Sequence, residues 1–374
     1  MFPTLTLSGA PFERGQQHGS QASAQINQSI ASYARLFAYQ RGIDWAAVQT
    51  EALSYSDAIA NFDSTLWDEM QGIAAGSGHS FATILALNAR TELLAGTRPG
   101  LAHPNYSEAV SHNRAAFVPD HSECTALAVL PQASATSEPI LAQNWDWHGD
   151  QRAACILLRI HAPGLPVILT LTEAGIVGKI GLNDAGLGIC LNILQSRLDG
   201  QKPGVPVHIL LRAMLGKSTL AEATALATSV QPGASSNLLC ADTNGEAISI
   251  EITPAGSGII NPKVGLLIHT NHCISPETCP VASPLMPSSS SEPRYNRAQQ
   301  MLTPQIGSIS RDDVIAVLRD ESEGLLSICR HPDLSVPVEA QIETVAAVVM
   351  DLAAHTMYVA PDIPSQVEFS PVSL

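Results

Sequence analysis

An α+β fold is predicted by two features of this 374-residue chain. Its first third carries apolar residues at helical spacing, and its middle is a series of short apolar runs punctuated by Gly, Pro, Asn and Asp. A sheet-rich centre with helices packed outside is the layered arrangement that buries both patterns.

In residues 13–94, Ile26, Ile30, Tyr33 and Phe37 recur every three or four positions, and Phe81, Ile84, Leu85 and Asn88 repeat the pattern. Asp63-Ser-Thr supplies a cap before Leu66-Trp67. Gly76-Ser-Gly78 follows a helix rather than a strand, so it reads as a helix end and not as a dinucleotide fingerprint. Residues 96–122 are polar, contain Pro99, Pro104 and Pro119, and read as an exposed connection. Strands follow at 125–130, 140–145, 155–160, 167–172, 177–182 and 188–193, close enough to be joined as hairpins. Helical spacing returns at 207–215, 220–227, 295–302 and 311–319, interleaved with strands at 237–241, 247–252, 264–269, 345–351 and 355–359. The Pro and Ser content of 275–293, with its run Ser288, Ser289, Ser290, Ser291, predicts a mobile surface loop.

A hydrophobic content of 45% against 14% charged is that of a globular chain with material for a large core. The net charge of -15 and the scatter of its 19 basic residues disfavour nucleic acid and anionic membranes as partners. No apolar stretch approaches the roughly 20 residues that span a bilayer, and Met1-Phe-Pro-Thr lacks a basic leader, so a cytoplasmic location is expected. Seven cysteines at irregular spacing predict reduced, mostly buried thiols. No Cys-x-x-Cys or His-Glu-x-x-His occurs. His269-Thr-Asn-His272-Cys273 follows an apolar strand and offers two ligands at most on one side, so no metal is expected. No phosphate-binding loop is visible, and no bound cofactor is expected.

Cys124 stands where the polar segment Phe117-Val-Pro-Asp-His-Ser-Glu123 gives way to the apolar run Thr125-Ala-Leu-Ala-Val-Leu130. A thiol there is either a buried filler or a nucleophile. If the bond before it is cut, Cys124 becomes a new N-terminus, and its freed amine can activate its own sulfur. Asp146 ends the next strand, so an antiparallel hairpin brings it near the Cys124 amine and thiol. Its alternative role is a turn residue before His148-Gly149-Asp150.

These residues, with the order of motifs around them, resemble the isopenicillin N acyltransferase family of self-cleaving N-terminal nucleophile hydrolases (the C45 group). The resemblance runs nearly end to end. It passes through Gly9-Ala-Pro-Phe-Glu-Arg-Gly-Gln-Gln-His18-Gly, Leu87-Asn-Ala-Arg90-Thr-Glu92, Cys124-Thr125 and Gln143-Asn-Trp-Asp146. It continues through Thr172-Glu-Ala-Gly-Ile-Val-Gly-Lys-Ile-Gly181, Gly204-Val-Pro-Val-His208, His269-Thr-Asn271-His-Cys273 and Ser327-Ile-Cys-Arg330.

The resemblance implies a four-layer αββα sandwich made as a precursor that cuts itself between Glu123 and Cys124. Residues 1–123 would form an α chain and residues 124–374 a β chain, the two staying associated as one domain. Cys124 would be the nucleophile and its α-amine the base, a sensible pairing because such an amine titrates near about 8. Asp146, Asn271 and Arg330 match the family's supporting residues. Asn271 would donate to an oxyanion, and Arg330 would hold Asp146 and the thiolate charged. Outside the resemblance, Asn271 and Arg330 would be a turn amide and a surface ion pair. Asn192 falls in a strand that such enzymes use to complete the oxyanion hole, or it caps the following loop.

The substrate expected is a small-molecule amide or thioester, with acyl-coenzyme A as a possible co-substrate. Attack by an amine on the Cys124 acyl-enzyme gives an acyltransferase, and attack by water gives an amidohydrolase of N-acyl amines. The chain departs from the family pattern before the nucleophile, carrying Glu123 where the family has a glycine that eases a strained backbone. The connection at 96–122 is also longer, and the terminal Val372-Ser-Leu is a poor match to a peroxisomal address. Glu123 motivates a further alternative, an uncleaved binding protein that keeps the fold.

Overall fold

The computed structural model describes residues 1–95 and 123–374, with the backbone alone at Glu123. The connection expected at 96–122 lies outside the described residues.

The helical first third is α1 (Pro11–Gln21), α2 (Ser23–Arg41), α3 (Trp45–Ala52), α4 (Ser56–Phe62), α5 (Ser64–Ser77), α6 (Phe81–Asn88) and α7 (Arg90–Ala95). Asp63 caps α5 as expected, its carboxylate accepting from the N–H groups of Thr65 and Leu66 at 2.9 and 3.2 Å. Gly78 ends the same helix at φ +77°, a conformation that glycine adopts without strain. Helices α1 and α5 meet backbone to backbone: a Cβ on Gly15 would lie 2.0 Å from the Glu69 carbonyl, and one on Gly72 would lie 2.1 Å from that of Phe12. Arg14 and Glu69 close this seam with a buried ion pair at 2.6 Å.

Among the described residues the strands form two sheets. The larger runs β1 (Thr4–Ser8), β4 (Cys155–His161), β5 (Ile168–Glu173), β6 (Ile180–Asn183), β7 (Leu187–Ile193), β8 (Ser236–Asp242), β9 (Ala247–Thr253), β10 (Gly256–Ile260). The smaller runs β11 (Leu266–His269), β2 (Glu123–Val129), β3 (Ile140–Trp147), β12 (Glu343–Asp351), β13 (Thr356–Ala360), β14 (Ser370–Ser373). Neighbours are antiparallel except β1 with β4.

Strand alternation builds the layers. Cys124, Ala126 and Ala128 of β2 join Trp145 of β3 and Cys190 of β7 in the core that includes the space between the sheets. Leu127 and Val129 point the other way, into a second core beneath α10 (Ser291–Leu302) and α11 (Arg311–Leu318). On the far side, α8 (Val207–Leu215) and α9 (Leu220–Ser229) cover the larger sheet beside α2. The order is helix, sheet, sheet, helix, the αββα sandwich.

Residues 275–293 lie at the surface as expected, with 284–287 exposed, but the segment is pinned at both ends. Ser275, Thr278, Ser290 and Ser291 are buried, and α10 begins at Ser291. The segment has no apolar period to reveal its packing because polar bonds pin it instead. The Glu251 carboxylate collects the N–H groups of Ile274 (2.7 Å) and Ser275 (3.3 Å) and the Thr278 hydroxyl.

Candidate active site

Cys124 is the second residue of β2, opposite Trp145 in register, and its side chain faces the inter-sheet core. Burial pushes its thiol up to about 11; Asp146 pushes the same way, while Lys179, the Asp146 backbone and Arg294 oppose.

Three side chains grip the backbone on both sides of this residue. The Cys124 N–H donates to Asn271 Oδ1 at 2.7 Å. Its carbonyl accepts from Arg294 Nη1 at 2.6 Å and from Asn192 Nδ2 at 3.1 Å. Each gripping residue is fixed in turn. Asn271 Nδ2 donates to the Ile193 carbonyl at 2.9 Å, and its N–H donates to Ser291 Oγ at 2.7 Å. Asn192 Oδ1 accepts from Asn237 Nδ2 at 3.0 Å, carrying the amide chain across β7 and β8. Arg294, fully buried in the first turn of α10, also reaches Asn271 Oδ1 (2.9 Å), Thr125 Oγ1 (3.0 Å) and Ser290 Oγ (2.8 Å).

Asp146 and Arg330 lie beside this grip. Alternation places Asp146 with Ala142 and Asn144 on the helix-covered face, the opposite face to the Cys124 thiol. Its Oδ1 accepts from Thr344 Oγ1 at 2.7 Å. Burial lifts its carboxyl to about 7 against the pull of Arg294 and Thr344. The expected Asp146 contact to the Cys124 nitrogen is occupied here by Asn271, and the guanidinium that draws Asp146 down is that of Arg294. Arg330 Nη1 donates to Ser290 Oγ at 3.2 Å, and its N–H donates to Thr344 Oγ1 at 2.9 Å. Ser290 and Thr344 therefore join Arg330 to Arg294 and to Asp146. Asn271, expected as an oxyanion donor, offers its oxygen to Cys124 and its amide to Ile193.

Arg294 and Lys179 are the charged neighbours that sequence reasoning missed. Arg294 follows Ser-Glu-Pro, so it resembles an exposed first-turn residue, and no spacing in the sequence marks its burial. Lys179 lies within the run from Thr172 to Gly181, where an isolated Lys among glycines and apolar residues is the available signal.

Two cavities flank the grip. One of about 290 Å³ is lined by Arg90, Thr91, Trp147, Ile193, Gln195 and Ser196. The other, about 140 Å³, is lined by Asn271, His272, Cys273 and Glu292, and shares Gln195 with the first. Together they offer a small molecule mixed apolar and polar walls next to Asn271. The rings of His269 and His272 are both engaged by protein partners, at Glu251 Oε1 (2.8 Å) and at Ser291 Oγ (2.8 Å). Among the described residues a compact mixed donor group occurs at Glu321, Cys329 and His331, whose ligand atoms lie within 4.8 Å of one another.

The chain matches the family described as acyl-coenzyme A:6-aminopenicillanic acid acyl-transferase over residues 134–366. It is 29% identical over 328 residues to the acyl-coenzyme A:6-aminopenicillanic-acid-acyltransferase 40 kDa form of Emericella nidulans, which covers 87% of this chain and 84% of that protein. Among solved structures it is similar to a mutant conjugated bile acid hydrolase from Clostridium perfringens, with a TM-score of 0.47 and 11% identity over 67% of this chain and 92% of that one. It is also similar to penicillin V acylase from Agrobacterium tumefaciens, with a TM-score of 0.37 and 13% identity over 63% and 82%.

Proposed function

This chain belongs to the acyl-coenzyme A:6-aminopenicillanic acid acyl-transferase family and is an enzyme of acyl transfer or amide hydrolysis, and we propose that it is a self-cleaving one with Cys124 as nucleophile. The observation that carries this reading is the grip of Asn271, Asn192 and Arg294 on the two backbone groups of Cys124. Pairing with β11 ends at Ala126, so side chains rather than a neighbouring strand satisfy the buried N–H and carbonyl of Cys124, at the residue that cleavage would make a new N-terminus.

In the precursor the Cys124 thiolate attacks the carbonyl carbon of Glu123. The carbon–nitrogen bond breaks, the nitrogen leaves as an amine with a proton, and a thioester remains. Water hydrolyses that thioester to a Glu123 carboxylate and a free thiol. The amine so released occupies the position of the present Cys124 nitrogen, where Asn271 Oδ1 orients it as the base for the thiol. Attack on a substrate amide or thioester then gives the acyl-enzyme, the leaving group taking the proton from the ammonium. Asn192 and Arg294 fix the strand, and Asp146 and Arg330 support it through Thr344 and Ser290.

The products of cleavage, residues 1–123 and 124–374, stay together in this reading. Buried bonds across the cut support it: Arg90 Nη2 to Glu173 Oε2 at 3.0 Å, Asn88 Nδ2 to the Gly175 carbonyl at 2.8 Å, and the Val207 N–H to Glu92 Oε1 at 2.8 Å.

Intact mass spectrometry tests the proposal. Two fragments are expected, the larger starting Cys124-Thr-Ala, and Cys124→Ala should stay whole and inactive. An unbroken chain that is active, with activity surviving Cys124→Ala, would sink it and leave a different site or a binding role. Adding a competing amine to an N-acyl amine assay separates transfer, which incorporates that amine, from hydrolysis, which does not.

A further inference from the structure

We propose that Lys179 is a positioning residue for Cys124, holding a surplus buried positive charge on the thiol's own face of the sheet; this rests on Cys124 being the nucleophile. Lys179 is 2% exposed, and its Nζ lies 3.1 Å from the ring centroid of Trp145. Trp145 is the register partner of Cys124 and shares its core. The ammonium is therefore held over the indole beside the nucleophile, a geometry that a cation–π contact favours.

The surplus comes from sharing. Lys179 Nζ bonds Glu173 Oε2 at 3.2 Å, but Arg90 Nη2 bonds the same oxygen at 3.0 Å. Tyr33 donates to the other oxygen and brings no charge, since burial raises its hydroxyl well above its ordinary value. Two buried cations face the Glu173 carboxylate, and the second carboxyl near Arg90, that of Glu92, is raised by burial to about 7 and so carries only part of a charge at neutral pH. Burial works to raise Glu173, yet Arg90 and Lys179 carry it well below the usual carboxylate range, so the carboxylate is charged. Burial lowers Lys179 to about 8, with Glu173 opposing, which leaves the ammonium protonated at neutral pH.

The uncleaved chain gives this charge a role. Until the bond before Cys124 breaks, its nitrogen is an amide and no base. The Asp146 carboxylate, on the opposite face, raises the thiol, and of that residue only the backbone lowers it. The groups facing Cys124 are Asp146 of β3, Lys179 ahead of β6, Arg294 of α10 and Cys190 of β7. Those facing Lys179 are Glu173, Arg90, Cys124 and Cys155, with His208 of α8 beyond. Arg294 is committed to backbone and side-chain oxygens, whereas the Lys179 charge stands on the thiol side of β2.

The test is the pH profile of Cys124 alkylation by iodoacetamide, read by peptide mass spectrometry. It is scored separately on peptides that begin at Cys124 and on those that run through it. Lys179→Met should move the midpoint up by about one pH unit or more, and Lys179→Arg should bring it back towards the parent. Glu173→Gln, which removes the shared anion, should move it down. An unmoved midpoint in Lys179→Met, with activity still dependent on Cys124, overturns the role of Lys179 alone. Upward shifts in both Lys179→Met and Glu173→Gln also overturn it, since general loosening and not charge would then set the midpoint. Activity that persists in Cys124→Ala overturns the nucleophile and the role of Lys179 together.

Discussion

Replacing Arg294 by Met keeps an apolar stem of similar reach in a fully buried slot and removes the donor fork that fixes Cys124. Four acceptors lose a charged donor: the Cys124 carbonyl, Asn271 Oδ1, Thr125 Oγ1 and Ser290 Oγ. Three of them keep another donor, from Asn192, from the Cys124 N–H and from Arg330. A hydrogen bond to a charged group contributes about 1.5–3 kcal/mol, but deleting the guanidinium also removes the cost of burying it. The expected net loss is about 2–4 kcal/mol, less than the sum of four bonds. Urea unfolding reads this in a Cys124→Ala background, where every chain is whole. In the cleavable background, freeing the Cys124 carbonyl lets the nucleophile drift, and a misplacement near 1 Å slows the reaction about 100-fold. A time course of self-cleavage by denaturing electrophoresis measures it. Arg294→Lys, with the charge but not the fork, should fall between. A folded Arg294→Met chain that cleaves within about twofold of the parent would refute the claim that this grip positions the nucleophile.

Three further outcomes follow from the geometry. Burial holds the Asp146 carboxyl at about 7, above its unfolded value of 3.8, so the folded chain binds the extra proton. Stability then falls as pH rises through that interval and is level above it, and Asp146→Asn should be about 2–4 kcal/mol more stable than its parent at pH 8 but equal at pH 3. Urea titrations in the Cys124→Ala background check this, and a parent-like value at pH 8 would count against it. Gly15→Val forces a Cβ to within 2.0 Å of the Glu69 carbonyl, so thermal melting should show a loss of at least about 2–3 kcal/mol. Gly78→Ala meets no atom within 4 Å and suffers only from its φ of +77°, so its loss should stay near about 1 kcal/mol.

How far the molecule was legible in its sequence depends on which forces left a pattern. Apolar burial did, so the helix at 207–215 and the central strands fall where their periodicity puts them. The edge strands β1, β10 and β14 were missed. Gly256-Ser-Gly and Ser370-Pro-Val-Ser carry little apolar alternation, because an edge strand buries less of either face, whereas β1 alternates as Thr-Leu-Thr-Leu-Ser and is only too short to stand out. The resemblance implied the four-layer sandwich, which periodicity alone leaves as helices outside a sheet-rich centre. At the site, Cys124 is marked by its loop-to-strand position and Asn192 and Asn271 by the resemblance, but their meeting depends on β2 pairing with β11 while β7 lies across from β2, its Ile193 carbonyl accepting from Asn271. No local spacing encodes that contact between sheets. Arg294 was invisible for a related reason. A buried arginine is stabilised by acceptors gathered from β2, from residue 271 and from its own helix, and Ser, Asn and carbonyl oxygens leave no periodic trace. The same Ser-rich composition that suggested a loose surface loop supplies Ser290 and Ser291, whose hydroxyls tie Arg294, Arg330 and Asn271 together. The part of the chain that looked least structured is thus the part that holds the strand of the nucleophile in place.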